Sequence, residues 1–256
     1  MLKEVFFAAS ASIFETIRQH ESETITQAAE IMAEAVSRSK TVLLYDRGHL
    51  LGGELLSRAG GPLFMRRLDY ALPDPSLRSP QTGVREKRLA NFAGEAREKA
   101  THVFEDAWTD YLMQVNDLGE GDVLLINSVS GKGHAATSIA RAARKAGVTC
   151  IIITSLEAAE RIEPEGGGKR LIDYANLLVD NHVPYGDAMF ELEGIPEKVF
   201  PASGLSAAAI GWAMVLEAIE KIVEKGICPS VFRSNNIPGG PEQNRDVFAR
   251  YADLGY

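Results

Sequence analysis

Two serines and a lysine in a short glycine-containing loop are the residues of this chain with the clearest capacity for chemistry. The loop Ser128-Val129-Ser130-Gly131-Lys132-Gly133 follows the apolar run Val123–Ile126, and a helical pattern follows from Ala135. Free backbone N–H groups at the start of a helix, together with about half a positive charge, bind anions. The pattern therefore predicts a phosphate site formed by Ser128, Ser130, Gly131 and Lys132.

A second interpretation of this loop stays open. It could be a tight strand-to-helix connection in which the serines only cap the helix. The loop matches neither the Walker motif GxxxxGK[ST] nor the dinucleotide motif GxGxxG. Arg47 and Lys132 lie on the expected loop face and could bind an anion, although solvated surface is the alternative for each of them.

The elements around this loop repeat a strand–loop–helix pattern. Thr41–Tyr45 reads as a strand, Asp46-Arg47-Gly48-His49 as a loop, and Leu50–Ala59 as a helix that Gly60-Gly61-Pro62 stops. The second unit runs from Val123 through a helix to the strand Val148–Thr154. Such alternation predicts a parallel sheet with helices on both faces, and ligands bind at the carboxyl ends of its strands.

The remaining segments supply helices and turns. An amphipathic helix is expected from Ile13 to Ser39, and a strand at Ala175–Val179. Ala207–Lys225 is the most apolar helix, so we expect it to be buried centrally or in a subunit interface. We interpret the tail from Pro229 onward as mostly turn.

Bulk properties limit the function classes. The chain has 256 residues and a formal net charge of −8, so we expect one domain over residues 1–256 and no nucleic-acid or membrane partner. Its two cysteines have no pairing pattern, and no metal-binding spacing or secretion signal is evident. We therefore expect a cytoplasmic protein with no metal or other cofactor.

Several motifs resemble the sugar isomerase (SIS) domain family. They are the strand entering S-x-S-G at Ser128, the strand ending Ile152-Ile153-Thr154-Ser155, and the helix after Pro201-Ala202-Ser203-Gly204. Three further segments resemble a subgroup described as phosphoheptose isomerase-like: Arg58-Ala59-Gly60-Gly61, Asp180-Asn181-His182-Val183-Pro184-Tyr185-Gly186-Asp187 and Val231-Phe232-Arg233-Ser234-Asn235.

This resemblance implies a three-layer α/β/α sandwich with a flavodoxin-like parallel sheet, a long N-terminal helix, and a homodimer or homotetramer with its sites at the subunit interface. It also implies a sugar-phosphate ligand held by Ser128, Ser130 and Gly131, with Ser203 contributing from the next helix. The family's first loop is usually G-x-G-x-S, whereas this chain has Asp46-Arg47-Gly48-His49-Leu50. Arg47 could replace the missing serine, since a guanidinium pairs well with phosphate.

The activity that the resemblance implies is aldose–ketose isomerisation through an enediol. It needs a base that moves a proton between adjacent carbons and an acid that opens the sugar ring. Glu54 is the expected base, His49 is the candidate acid, and His182 is a further candidate catalytic residue; a surface glutamate, a capping histidine and a structural histidine are the alternatives. The histidine that phosphoheptose isomerases carry on their last long helix is absent from Ala207–Lys225.

Two other functions remain open at this point. The chain could be a non-catalytic sugar-phosphate sensor or regulatory protein. It could also catalyse deamination or ether cleavage of an amino-sugar phosphate, because one scaffold hosts several chemistries.

Overall fold

The structure is a computed structural model that describes residues 1–46, 51–68, 105–164 and 168–256. Its central sheet has five parallel strands in the order β2-β1-β3-β4-β5. The strands are β1 (Val42–Asp46), β2 (Met65–Arg67), β3 (Val123–Asn127), β4 (Thr149–Thr154) and β5 (Leu177–Asp180). The expected parallel sheet is therefore confirmed.

Helices cover both faces of this sheet. Those that the structure describes are α1 (Leu2–His20), α2 (Ser22–Ser37), α3 (Leu51–Leu55), α4 (Glu105–Val115), α5 (His134–Lys145), α6 (Leu156–Arg161), α7 (Ser203–Glu224) and α8 (Gly240–Leu254). A 3-10 helix spans Leu171–Tyr174, and an antiparallel hairpin joins β6 (Ala188–Leu192) to β7 (Ile195–Pro201).

The strand side chains alternate between two cores. Leu44, Leu125 and Ile153 pack toward α2, α3 and α7, whereas Leu43 and Ile126 pack toward α4 and α5. This alternation follows from the two-residue period of a strand. The strands are apolar on both faces because both faces are covered, and the three-layer arrangement expected from the family is confirmed.

The structure changes three expectations about helices. The long N-terminal helix is present but begins at Leu2 and is divided at Glu21, which separates α1 from α2. The helix after the first loop is short and ends at Leu55. The interpretation of the tail as mostly turn is wrong, because α8 covers Gly240–Leu254. Pro241 in the first turn is a helix-start signal that predicts α8.

Candidate functional site

A row of polar residues ends the strands of the sheet. Asp46 ends β1, Asn127 ends β3, Thr154 ends β4 and Asp180 ends β5, and the register pairs Asp46 with Asn127 and Thr154 with Asp180. The chain leaves β1 toward α3, in one core, and β3 toward α5, in the other. In parallel sheets, ligands bind at such a switch point, so the β1–β3 junction is the expected place for a site.

The Ser128–Gly133 loop follows β3 at this junction and is anchored to β4. The Ser128 N–H donates to the Ile153 carbonyl oxygen over 3.1 Å, and the Val129 carbonyl oxygen accepts from Thr154 Oγ1 and the Ser155 N–H, both over 2.9 Å. These bonds fix the loop to the sheet before the helix begins. The predicted strand–loop–helix unit is confirmed.

Gly131 gives the loop its shape. Its φ is +59°, in the left-handed region, and a Cβ there would lie 2.8 Å from Cβ of Leu171 in the 3-10 helix. A side chain at this position would strain the backbone and collide with its neighbour. Gly131 therefore lets the loop lie against Leu171 and directs the chain into α5.

The N-terminus of α5 lacks a side-chain cap in the part of the chain that the structure describes. Its first N–H groups have no partner within the helix, and a bound anion satisfies such groups. The half-buried Ser128 and Ser130 precede this helix end, and the exposed Lys132 lies beside it. Ser130 Oγ accepts only from the Lys132 N–H, over 3.3 Å, among the hydrogen bonds of the described residues. An anion site in this loop stays a prediction.

The Asp46 carboxylate joins the end of β1 to α3 and to β3. Asp46 Oδ2 accepts from the Gly52 N–H and Oδ1 accepts from Asn127 Nδ2, both over 2.8 Å. Asp46 thus accepts the hydrogen bond of a backbone N–H at the start of α3 that could otherwise bind a ligand anion. Asn127 Oδ1 is buried and, among the described residues, lacks a hydrogen-bond partner. Arg47 and His49 lie outside the described residues.

Glu54 lies on α3, directly after the first loop. Its side chain is about one-third exposed, at 34%, and Oε1 is 3.5 Å from Arg58 Nη1, one helical turn along the chain. A partly exposed carboxylate of this kind could move a proton, so the role as base stays a prediction.

His182 is placed away from Glu54. Its Nε2 is 3.0 Å from Glu21 Oε1 and its Nδ1 is 3.5 Å from Asp180 Oδ2. His182 follows β5, which lies three strands from β1, or about 14 Å at the usual strand spacing. Within one chain, the structure favours the structural alternative for His182, whose ring ties the α1–α2 break to the end of β5.

Ser203 is also engaged elsewhere. It starts α7 and is buried, its Oγ donates to Asp187 Oδ2 over 2.7 Å, and its N–H donates to Asp187 Oδ1 over 2.8 Å. The Asp187 carboxylate therefore occupies the place at the start of α7 where a phosphate was expected. A phosphate role for Ser203 would require Asp187 to move.

Sequence reasoning missed the roles of Glu21, Asp46, Asn127 and Asp187. Asp46 and Asn127 could have been found, because each is the first polar residue after an apolar strand. Glu21 and Asp187 act on residues far along the chain or across a hairpin, and no local pattern marks them.

Cys150 is a buried thiol in β4. Burial raises the pKa of the Cys150 thiol to about 12, so that thiol stays protonated at neutral pH. Among the described residues, no cluster of three or more histidine, cysteine, aspartate and glutamate side chains could hold a metal ion. No described helix is both long enough and apolar enough to cross a membrane.

Known proteins resemble this chain over most of its length. The UPF0309 protein of Shouchella clausii is 28% identical over 258 residues, which cover 98% of this chain and 96% of that protein. The UPF0309 protein of Oceanobacillus iheyensis is 29% identical over 241 residues, covering 93% and 92%. A phosphoheptose isomerase structure from Francisella tularensis gives a TM-score of 0.48 at 14% identity, over 88% of this chain and 98% of that one.

The SIS domain family matches residues 5–155 of this chain. That match covers more than half of the sequence and extends from α1 to the residue after β4, so it includes both strand–loop–helix units. The resemblance seen in the S-x-S-G loop is thus confirmed by a match to the whole domain pattern. The chain belongs to the SIS domain family.

Proposed function

We propose that this protein binds a sugar phosphate, with the phosphate held by the Ser128–Gly133 loop. The observation that carries the proposal is the start of α5 at the β1–β3 junction, which has no side-chain cap among the described residues. The loop before it contains the Ser128 and Ser130 hydroxyls and the Lys132 ammonium group. Membership of the SIS domain family supports a phosphosugar as the ligand. Charge-assisted hydrogen bonds of this type are the stronger ones in proteins.

The second loop carries the phosphate and the first loop faces the sugar in this proposal. Asp46 already accepts from the Gly52 N–H, so this amide at the start of α3 is not available to a phosphate in the first loop. A carboxylate instead accepts hydrogen bonds from sugar hydroxyls. The lack of a serine in the first loop and the presence of Asp46 both fit a loop that binds the sugar and not the phosphate.

The reaction that fits this site is aldose–ketose isomerisation. Glu54 would take the proton from one carbon of an open-chain sugar and return it to the neighbouring carbon, forming and consuming an enediol. Its position on α3, shortly after β1, supports a base that acts on the sugar rather than on the phosphate. Arg58, the ion-pair partner of Glu54 one helical turn along the chain, would orient the carboxylate.

A non-catalytic sugar-phosphate binding protein is the second candidate. One observation favours it: within the described residues of one chain, His182 is engaged by Glu21 and Asp180 and follows β5, three strands from β1, which precedes Glu54. His182 and Glu54 therefore do not meet within one chain, and the other candidate acid, His49, lies outside the described residues. A sensor needs only the Ser128–Gly133 loop.

Assembly of two or four copies, in the cytoplasm, is part of the same proposal. Phe7 and Phe14 are 64% and 42% exposed and lie seven residues apart, on one face of α1. Leu216 and Val223 are 59% and 56% exposed and have the same spacing on α7. Two apolar stripes on neighbouring helices are typical of a surface that a second copy covers.

Calorimetric titration with ribose 5-phosphate, fructose 6-phosphate and sedoheptulose 7-phosphate tests the binding proposal. We expect at least one to bind and Ser130→Ala to weaken it about tenfold, because a hydrogen bond to a charged group is lost. Ser12→Ala, on the exposed surface of α1, is the control. If none of the three binds, or if Ser130→Ala binds as the parent does, the phosphate site is wrong.

Solvent deuterium exchange then separates the two candidates. An isomerase incorporates deuterium into the bound sugar at the carbon that Glu54 deprotonates, and Glu54→Gln abolishes this incorporation without abolishing binding. A sensor binds the sugar phosphate with no incorporation.

A further inference from the structure

A cavity of about 490 Å³ lies at the β2 edge of the sheet, between α3 and α8. It is separate from the Ser128–Gly133 loop, none of whose residues line it. Its volume is in the range of small-molecule sites, which are mostly apolar with a few placed polar groups. Nothing in the proposed function uses this cavity.

The charged part of the cavity comes from Arg66 and Arg67. β2 is an edge strand, so side chains from both of its faces reach the cavity. Arg66 Nη2 donates to the Asn116 carbonyl oxygen over 2.9 Å, which fixes one end of its guanidinium. No carboxylate is among the described lining residues, and Arg67 forms no ion pair within the described chain.

Gly52 makes room for Arg67. A Cβ on Gly52 would lie 3.2 Å from Arg67 Nη2 and 3.4 Å from Asp46 Oδ2. The guanidinium therefore lies against the backbone of α3, where the Asp46 carboxylate on the inner side attracts it. Packing against Gly52 therefore holds the Arg67 guanidinium in place. Among the described residues, no ion pair neutralises its charge.

The apolar part of the cavity is aromatic. Phe232, Phe248 and Tyr251 line it, and the Phe232 and Phe248 rings meet edge to face with centroids 5.3 Å apart. Phe248 is 52% exposed, so its ring has a free surface. Aromatic rings of a ligand stack on aromatic side chains of this kind, and each stacked pair adds to the binding free energy.

We propose that this cavity is a second ligand site, which takes a monophosphate carrying an aromatic body of nucleotide size. The phosphate would bind Arg67, with Arg66 as the second cation, since a phosphate monoester carries close to two negative charges. The aromatic body would pack on Phe248 and Tyr251. The site lies across Gly52 from Asp46, and it does not depend on the Ser128–Gly133 loop.

Adenosine 5′-monophosphate is the probe and is titrated by calorimetry into the full chain. Its two halves, adenosine and inorganic phosphate, are titrated separately for comparison. We expect the whole probe to bind more tightly than either half. Arg67→Gln is expected to weaken it about tenfold, and Phe248→Ser about fivefold. Both side chains are substantially exposed, so these variants keep the fold, which circular dichroism melting verifies.

Two control variants locate the binding. Arg144→Gln removes one exposed positive charge on α5, away from the cavity, and is expected to bind the probe as the parent does. Ser130→Ala is expected to bind it unchanged as well. The proposal is overturned if the probe shows no saturable binding, if Arg67→Gln and Phe248→Ser leave the affinity unchanged, or if Ser130→Ala alone removes it.

Discussion

Asn127 Nδ2 donates a hydrogen bond to Asp46 Oδ1 over 2.8 Å, and the two residues are register partners at the carboxyl ends of β3 and β1. After β1 the chain continues to one face of the sheet and after β3 to the other, and this bond lies between the two strand ends. It joins the strand that leads into the first loop to the strand that leads into the phosphate loop. The two halves of the proposed site are therefore held at a fixed distance.

Asp46→Asn is expected to lower the free energy of unfolding by about 2 kcal/mol. An amide has one acceptor oxygen, so its NH₂ group must face either the Gly52 N–H or Asn127 Nδ2, both of which are donors. Urea denaturation measures the change. Asp110→Asn, on the exposed surface of α4, is the control; equal stability of the two variants would show that the Asp46 bonds contribute little.

Gly131→Ala and Gly133→Ala form a matched pair in the phosphate loop. Alanine at position 131 must adopt a φ of +59° and bring its Cβ to 2.8 Å from Leu171, whereas at position 133 the φ is −69° and a Cβ meets nothing within 4 Å. We expect the first variant to lose about 2 kcal/mol, which lowers the melting temperature by about 4–8 °C. Gly133→Ala should melt within about 1 °C of the parent; similar melting of both variants would contradict this loop geometry.

His182→Gln tests whether this histidine is structural. Glutamine cannot contact both Glu21 and Asp180 as the ring does, so we expect a loss of about 1–2 kcal/mol in stability. Sugar-phosphate affinity should stay within twofold of the parent. The opposite outcome, unchanged stability with lost deuterium exchange, would make His182 a catalytic residue.

Phe7→Glu is expected to convert the proposed dimer or tetramer to monomers, because it puts a charge into the apolar stripe of α1. Light scattering coupled to size-exclusion chromatography gives the mass. Ser12→Glu adds the same charge about 140° around the helix and should leave the assembly intact. An unchanged mass for Phe7→Glu would place the interface elsewhere.

The fold followed closely from local patterns in the sequence. Apolar strands of β-branched residues, ended by Asn127 or Thr154, were identified because both faces of a parallel sheet are buried. α8 is not expected from the turn-rich segment before Gly240, and Pro241 is the signal that marks its start.

The site was less predictable than the fold. The Ser128–Gly133 loop is contiguous, so its chemistry is visible in the sequence. Ser203 is a candidate from the family resemblance and His182 from its position after a strand, but their partners, Asp187 and Glu21, are brought to them by the hairpin and by the break between α1 and α2. Tertiary contacts of this kind leave no periodic signal.

The most direct test of the account is the location of the phosphate, measured by nuclear magnetic resonance of the backbone amides in deuterated protein. A sugar phosphate that binds is titrated beside the same sugar without phosphate. We predict that the phosphorylated form alone shifts the amides from Ser130 to Ala136, at the loop and first turn of α5, because anions bind there through N–H groups. Largest shifts at the start of α7, or no shifts in the loop at saturation, would contradict it.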